Sequence, residues 1–218
     1  MQNIKLIVFD LDGTLADTIY DLAGAAEYIC HKYNSDIKVS DSVAKKCIGN
    51  GLRVYLDRIF KSYSINPTDF ENDLYEMKQY YFNNACVNTK LYEDTVQTLS
   101  YIKEKGIHMV IATMKPLIPA KKILEHFGIS EYFEMVIAGD VMPEPKPSAK
   151  IMDIFINNYN LDPKEILVVG DGMTDVNMAT NSGAYSVALL DGYGNKEILG
   201  NSSADYKFSN LNQIISIL

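Results

Sequence analysis

The sequence predicts an α/β protein in which a parallel sheet flanked by helices is interrupted near its start by a separate helical unit. Three observations lead there. From Tyr92 onward, apolar runs of strand length alternate with amphipathic runs. One further apolar run, 4–9, stands alone far upstream. Between the two, apolar residues recur at helical spacing and no strand run is evident. With 218 residues and 47% hydrophobic content, the chain can bury a full core as one large domain or two smaller ones.

The elements follow in order. Residues 4–9 form the first strand. Ile19, Leu22, Ala23, Ala26, Ile29, Cys30 and Tyr33 mark one helix, and Leu52, Tyr55, Leu56, Ile59, Phe60 and Tyr63 mark another. Phe70, Leu74, Met77 and Tyr81 mark a third, begun near Pro67. The aromatic stripes on these helices read as packing faces, and Gly49-Asn50-Gly51 is the conspicuous break among them. Helices are then predicted over 95–105, 118–127 with Gly128 as a stop, 148–158, and 176–182 with Gly183 following. Strands are predicted over 108–112, 135–138, 166–169 and 185–189, an alternation that specifies a parallel sheet. The helical unit is assigned to 17–86 and the sheet unit to 1–16 with 87–218.

Composition narrows the function. A formal charge of -8 and a pI near 4.9, with no basic block, argue against a nucleic-acid or anionic-membrane partner. Lys45-Lys46 and Lys121-Lys122 are pairs only. A phosphorylated substrate would therefore need a local positive site of metal and lysine. Cys30, Cys47 and Cys86 are odd in number and lack metal-site spacing, which fits a reducing cytoplasm. Residues 1–5 are too few and too polar for a signal-peptide apolar region, and no stretch reaches the length of a membrane span.

The chemistry concentrates at strand ends. In Phe9-Asp10-Leu11-Asp12-Gly13-Thr14-Leu15, two carboxylates stand one residue apart where a buried strand finishes. Alternate strand residues face opposite ways, so both can converge only if the chain turns there, which Gly13 permits. Like charges that close need a cation, and a Mg²⁺ site in which one carboxylate also reacts answers that need; the competing reading is a polar turn. Thr113 follows the run 109–112, Lys146 lies in the loop after 135–138, and Asp171 follows 166–170. Singly these read as a helix cap, a solvent-facing lysine and a turn. Jointly they sit where open parallel sheets bind ligands, outside the carboxyl ends of the strands.

Asp10-Leu11-Asp12-Gly13-Thr14, then Thr113, then Lys146, then Gly170-Asp171 with Asp175 four residues on, resemble the four ordered motifs of haloacid dehalogenase superfamily phosphatases. The resemblance spans the chain and implies a Rossmann-like core with a helical cap inserted between the first and second motifs. It further implies that Asp10 attacks phosphorus to form an aspartyl phosphate, and that Asp12 moves the protons of both half-reactions. Thr113 would hydrogen-bond the transferring phosphoryl group, and Lys146 would neutralise it while pairing with Asp10. Mg²⁺ would be held by Asp10, the backbone carbonyl of Asp12, Asp171 and Asp175, the last through water.

A narrower similarity is to the phosphoglycolate phosphatase branch. It is carried by Leu15-Ala16-Asp17-Thr18, Ile48-Gly49-Asn50-Gly51-Leu52, Thr113-Met114-Lys115-Pro116 and Glu144-Pro145-Lys146-Pro147. Two departures stand out: Met114 where the branch usually has Asn, and Gly172-Met173-Thr174 in place of a more polar triplet. On this reading Met114 and the cap loop of Gly49, Asn50, Gly51 and Arg53 contact the substrate, with Arg53, Lys45 and Lys46 available to its carboxylate. Expected is a cytoplasmic, Mg²⁺-dependent hydrolase of a small phosphorylated metabolite, a monomer or homodimer. The alternatives are a pyrophosphatase, a nucleotide or sugar phosphatase, and then a phosphomutase. A two-component receiver domain is rejected by motif order and chain length, and a non-catalytic protein-binding relative is the least favoured reading.

Overall fold

The strand that stands alone in the sequence, β1 (Leu6–Phe9), lies in the middle of the sheet and is buried along its whole length. Its residues alternate between two clusters: Ile7 and Phe9 pack on one face, Leu6 and Val8 on the other. A strand buried on both faces has no polar side, which explains why its sequence is continuously apolar rather than alternating. A computed structural model describes residues 3–218. Met1 and Gln2, which the sequence assigns to the sheet unit, lie outside the described residues.

The rest of the sheet is built around β1 by β4 (His108–Ala112), β5 (Met135–Ile137), β6 (Ile166–Gly170), β7 (Tyr185–Leu189) and β8 (Tyr206–Phe208), in the order β5-β4-β1-β6-β7-β8. Each pairing is parallel, with Val8 in register with Val110 on one side and Val168 on the other. The chain runs outward through β4 and β5, then returns across β1 to β6. That reversal opens a crevice at the carboxyl ends of β1, β4 and β6. Helices α5 (Thr95–Glu104), α6 (Leu117–His126), α7 (Lys150–Tyr159), α8 (Met173–Ser182) and α9 (Lys196–Gly200) connect the strands.

Between β1 and β4 lies the helical unit of α1 (Ile19–Cys30), α2 (Asp41–Cys47), α3 (Gly51–Ser62) and α4 (Phe70–Asn84). Ile19, Ile29, Leu56, Ile59, Met77 and Tyr81 form its own buried cluster. Helix α4 starts later than Pro67 because the Asp69 side chain accepts from Asn72 N at 3.1 Å and so fixes the first turn. Helix α2 has too few residues for a periodic signal; Ser40 caps it by accepting from Val43 N. Likewise α8 begins at Met173 rather than 176, with the Asp175 side chain accepting from Gly172 N.

Two linkers join the units as a short antiparallel ribbon, β2 (Ala16–Asp17) against β3 (Lys90–Leu91). Asp21, buried on the first turns of α1, grips the second linker: it accepts from Asn88 N at 2.8 Å, Asn88 Nδ2 at 3.1 Å, Thr89 N at 2.9 Å and Thr89 Oγ1 at 2.7 Å. Hydrogen bonds to a charged acceptor are the stronger kind, and loss of the acceptor would leave buried donors unsatisfied. Asp21→Ala is therefore expected to lower unfolding free energy by about 2–4 kcal/mol, measured by urea denaturation, whereas replacement of exposed Asp36 leaves it within about 0.5 kcal/mol.

Candidate active site

The end of β1 supplies the first group. Asp10 N donates to Val169 O at 2.9 Å, the last step of the sheet before the chain turns. Gly13 makes the turn with φ +82°, and a Cβ there would fall 2.1 Å from Asp171 Oδ2. Only glycine lets the two loops approach this closely. From the neighbouring strand ends come Thr113 after β4 and Asp171 after β6, both buried. Lys146, also buried, arrives in the long loop between β5 and α7.

Asp10, Asp171 and Asp175 each offer a carboxylate oxygen, and these oxygens lie within 4.8 Å of one another. Lys146 partly balances them: its Nζ is 2.6 Å from Asp175 Oδ1, 3.1 Å from Asp10 Oδ1 and 2.9 Å from the Ala112 carbonyl. The contact to Asp10 is an ion pair without hydrogen-bond alignment, and Asp10 Oδ1 is buried with no hydrogen-bond donor. Burial first, then Asp175 and Asp12, push the Asp10 carboxyl up to about 6 despite Lys146. Burial, Asp10 and Asp175 push Asp171 up to about 8. Burial works against charge on Lys146, but Asp10 and Asp175 outweigh it and hold the ammonium above the ordinary lysine value. A set of hard oxygen donors in excess of its cation, one of them unpartnered, fits a divalent ion such as Mg²⁺.

Asp12 takes a different course. Its Oδ1 accepts from Thr18 Oγ1 at 2.6 Å and pairs with Lys115 Nζ at 2.8 Å, outside the acidic cluster. Its side chain therefore stands apart from the three clustered carboxylates, and the metal-binding expectation for Asp12 concerned its backbone carbonyl. Lys115, buried, also donates to the Tyr81 hydroxyl on α4, so a chain of contacts runs from the helical unit to Asp12. Thr113 does not cap a helix: its Oγ1 accepts from Lys115 N at 3.2 Å, while Asp140 caps α6 through Leu117 N.

A cavity of about 730 Å³ lies between the sheet and the helical unit. It brings together Asp10, Asp12, Thr113, Met114, Lys146, Asp171 and Asp175 from below with Gly49, Asn50 and Gly51 from above. Met114 reaches the overhanging loop, for a Cβ on Gly51 would sit 3.9 Å from its Cε. Lys45 and Lys46 line the same cavity. Arg53 does not. It is exposed, forms a two-pronged ion pair with Glu71 and lies over the Phe70 ring, because Gly51 and Arg53 fall on different sides of α3. One turn further along, Arg58 takes its place on the cavity wall, donating to Cys47 O, Ile48 O and Asn50 Oδ1.

Sequence reading gave no role to Lys115 beyond its place in a motif, and did not single out Arg58 or Tyr193; all three line the cavity. Lys115 was visible as the residue two beyond Thr113, and Arg58 as the i+7 neighbour of Gly51 on one helix face; Tyr193 sits in a turn far from every motif and carried no local signal.

The model of the family described as haloacid dehalogenase-like hydrolase matches residues 7–189. A phosphoglycolate phosphatase of Vibrio parahaemolyticus is 31% identical over 222 residues, covering 100% of this chain and 97% of that protein. One of Vibrio cholerae is 31% identical over 224 residues, covering 100% and 98%. A solved structure from Haemophilus somnus, described as a predicted phosphoglycolate phosphatase, superposes with a TM-score of 0.92 at 31% identity, covering 100% of this chain and 99% of that one. The chain belongs to the haloacid dehalogenase-like hydrolases and stands among their phosphatases. Among the described residues no helix is long and apolar enough to cross a membrane.

An acid whose folded-state pKa lies above its unfolded value favours the protonated form, so its contribution to stability is present at low pH and lost as pH rises. For Asp171 that loss runs from the ordinary 3.8 to about 8. In protein stripped of divalent cations, Asp171→Asn is therefore expected to raise Tm at pH 8 and to change it less at pH 5. Added Mg²⁺ should stabilise the unmutated protein more at pH 8 than at pH 5, as thermal scans at the two pH values will measure.

Proposed function

We propose that this protein is a Mg²⁺-dependent phosphomonoester hydrolase that works through an aspartyl phosphate on Asp10, with phosphoglycolate as the favoured substrate. The observation that carries the reading is the state of Asp10: it lines the cavity, its buried Oδ1 receives no hydrogen bond, and it stands beside the Lys146 ammonium and two further carboxylates. The names of the relatives at 31% identity support the choice of ester. Residues 17–86 form the lid of this enzyme, and the remainder its core.

The residues divide the work by chemistry. A Mg²⁺ held by Asp10, Asp171, Asp175 and the Asp12 carbonyl would neutralise the substrate phosphate. An Asp10 carboxylate oxygen attacks phosphorus as the bond to the ester oxygen breaks, and Asp12 gives its proton to that leaving oxygen. Asp12 then takes a proton from water, which attacks the same phosphorus and frees inorganic phosphate and the Asp10 carboxylate. Thr113 and Lys146 hold the phosphoryl oxygens throughout, Lys146 supplying positive charge where the phosphoryl group passes. The lid excludes bulk water, and Lys45 and Lys46, in the last turn of α2, receive the substrate carboxylate beside the loop that Arg58 braces.

The cavity is roomier than phosphoglycolate requires, which favours nucleotide, sugar phosphate or pyrophosphate hydrolysis as the second reading. The protein is proposed to act in the cytoplasm as a monomer or homodimer, without nucleic-acid or membrane partners.

A panel of phosphate esters with Mg²⁺, scored by inorganic phosphate release, tests the assignment. Phosphoglycolate should show the highest kcat/KM; a larger ester at the top would replace it, and consumption of a sugar phosphate without phosphate release would make the enzyme a mutase. In rapid-quench kinetics, Asp12→Asn should slow both formation and breakdown of the acyl phosphate, by about 10²-fold or more. Lys45→Ala should raise KM for phosphoglycolate about tenfold while barely altering that for 4-nitrophenyl phosphate. Arg53→Ala should leave the ranking of the panel unchanged.

A further inference from the structure

Helix α1 opens in an unusual way. Thr18 holds its N-cap position with φ -106° and ψ 2°, outside the extended conformation that capping requires, and its side chain makes no capping hydrogen bond. The hydroxyl donates to Asp12 Oδ1 instead, at 2.6 Å. The mouth of the helix is satisfied by a residue some 175 positions later in the chain. The Tyr193 hydroxyl accepts from Thr18 N at 2.6 Å and from Ile19 N at 3.1 Å, and donates to Asp17 Oδ1 at 2.7 Å. A phenolic hydroxyl has one proton and two lone pairs, so the linker occupies its full bonding capacity.

The other end of the same residue is fixed to the core. Tyr193 N donates to Asp171 Oδ2 at 2.6 Å. Its two neighbours are glycines because the loop presses on Asp171: a Cβ at Gly192 would lie 2.3 Å from Asp171 Cβ, and one at Gly194 would lie 1.9 Å from Asp171 O. The ring meanwhile packs against the lid's apolar cluster, and among the described residues it is the one member of that cluster from outside 19–85. Lys45 Nζ stands 5.5 Å from the ring centroid.

We propose that Tyr193 is a positioning residue that latches the lid hinge to the core. Its hydroxyl pins Thr18 in the conformation that surrenders the Thr18 side chain to Asp12, and its main-chain amide orients Asp171. Without the hydroxyl, Thr18 is free to relax toward its ordinary capping role, and Asp12 loses one of the two groups that hold it. The consequence for turnover rests on the proposed role of Asp12 as acid and base; the latch itself does not.

The test compares Tyr193→Phe, Thr18→Val and the double variant with the unmutated protein. Phenylalanine keeps the ring and the amide and removes only the hydroxyl. Amide hydrogen exchange at Thr18 and Ile19 should accelerate about tenfold in Tyr193→Phe, with exchange in β1 unchanged. On 4-nitrophenyl phosphate with Mg²⁺, kcat should fall about tenfold while KM moves less than about threefold. The double variant should fall no further than Thr18→Val, because both changes release the same carboxylate. Asp17→Asn, which leaves the tyrosine intact, should speed exchange at the same two amides. Unchanged exchange there overturns the latch, and kcat losses that multiply overturn the route through Thr18. Should the unmutated protein release no phosphate, the hydrolase reading fails while the exchange data still decide the latch.

Discussion

Three carboxylates crowd against one ammonium at the carboxyl end of a parallel sheet, and the surrounding structure is arranged around that imbalance. Asp10 arrives after β1, and Asp171 and Asp175 arrive together where β6 passes into α8, so the approach of the first to the other two is enforced by strand register rather than by local sequence. Gly13 lets the first loop touch Asp171, and Lys146 crosses from another loop to offset part of the charge. Burial makes the remainder costly, as the upward shifts of Asp10 and Asp171 record. A protein gains nothing in stability from such a cluster alone; it becomes favourable when a cation completes it.

The acid that stands apart, Asp12, is controlled from the opposite direction. Its partners Thr18 and Lys115 lead to the first linker and, through Tyr81, to the helical unit. The two linkers are held by different devices: Asp21 grips the second from within the helical unit, and Tyr193 grips the first from within the sheet unit. The helical unit and the orientation of one carboxylate are thereby joined by short contacts to charged groups. Such contacts carry orientation well because the donors and acceptors involved have few alternative partners.

Much of this was legible in the chain. Strands buried on both faces are continuous apolar runs, so β1, β4, β6 and β7 announced themselves, as did the long amphipathic helices of the insertion. Asp10, Thr113, Lys146, Asp171 and Asp175 could be grouped because parallel topology puts strand ends together. The illegible parts share a cause. Helix α2, α9, strand β8 and the two-residue ribbon are too short to show a period, and they depend on capping and on contacts distant in sequence. Arg53 was misplaced because composition identifies a cation near a loop but not the helix face it occupies; the rotation of α3 turns it to Glu71 and brings Arg58 inward. Tyr193 was invisible because each of its contacts is made with residues far from it in sequence.

The central claim is that Asp10 itself carries the phosphoryl group during turnover. Acid quenching of the enzyme with Mg²⁺ and phosphorus-labelled substrate, followed by peptide mapping, addresses it directly. The account predicts label on Asp10, appearing and decaying at rates consistent with turnover. Sustained hydrolysis with that side chain unlabelled, or with label on another residue, would contradict it.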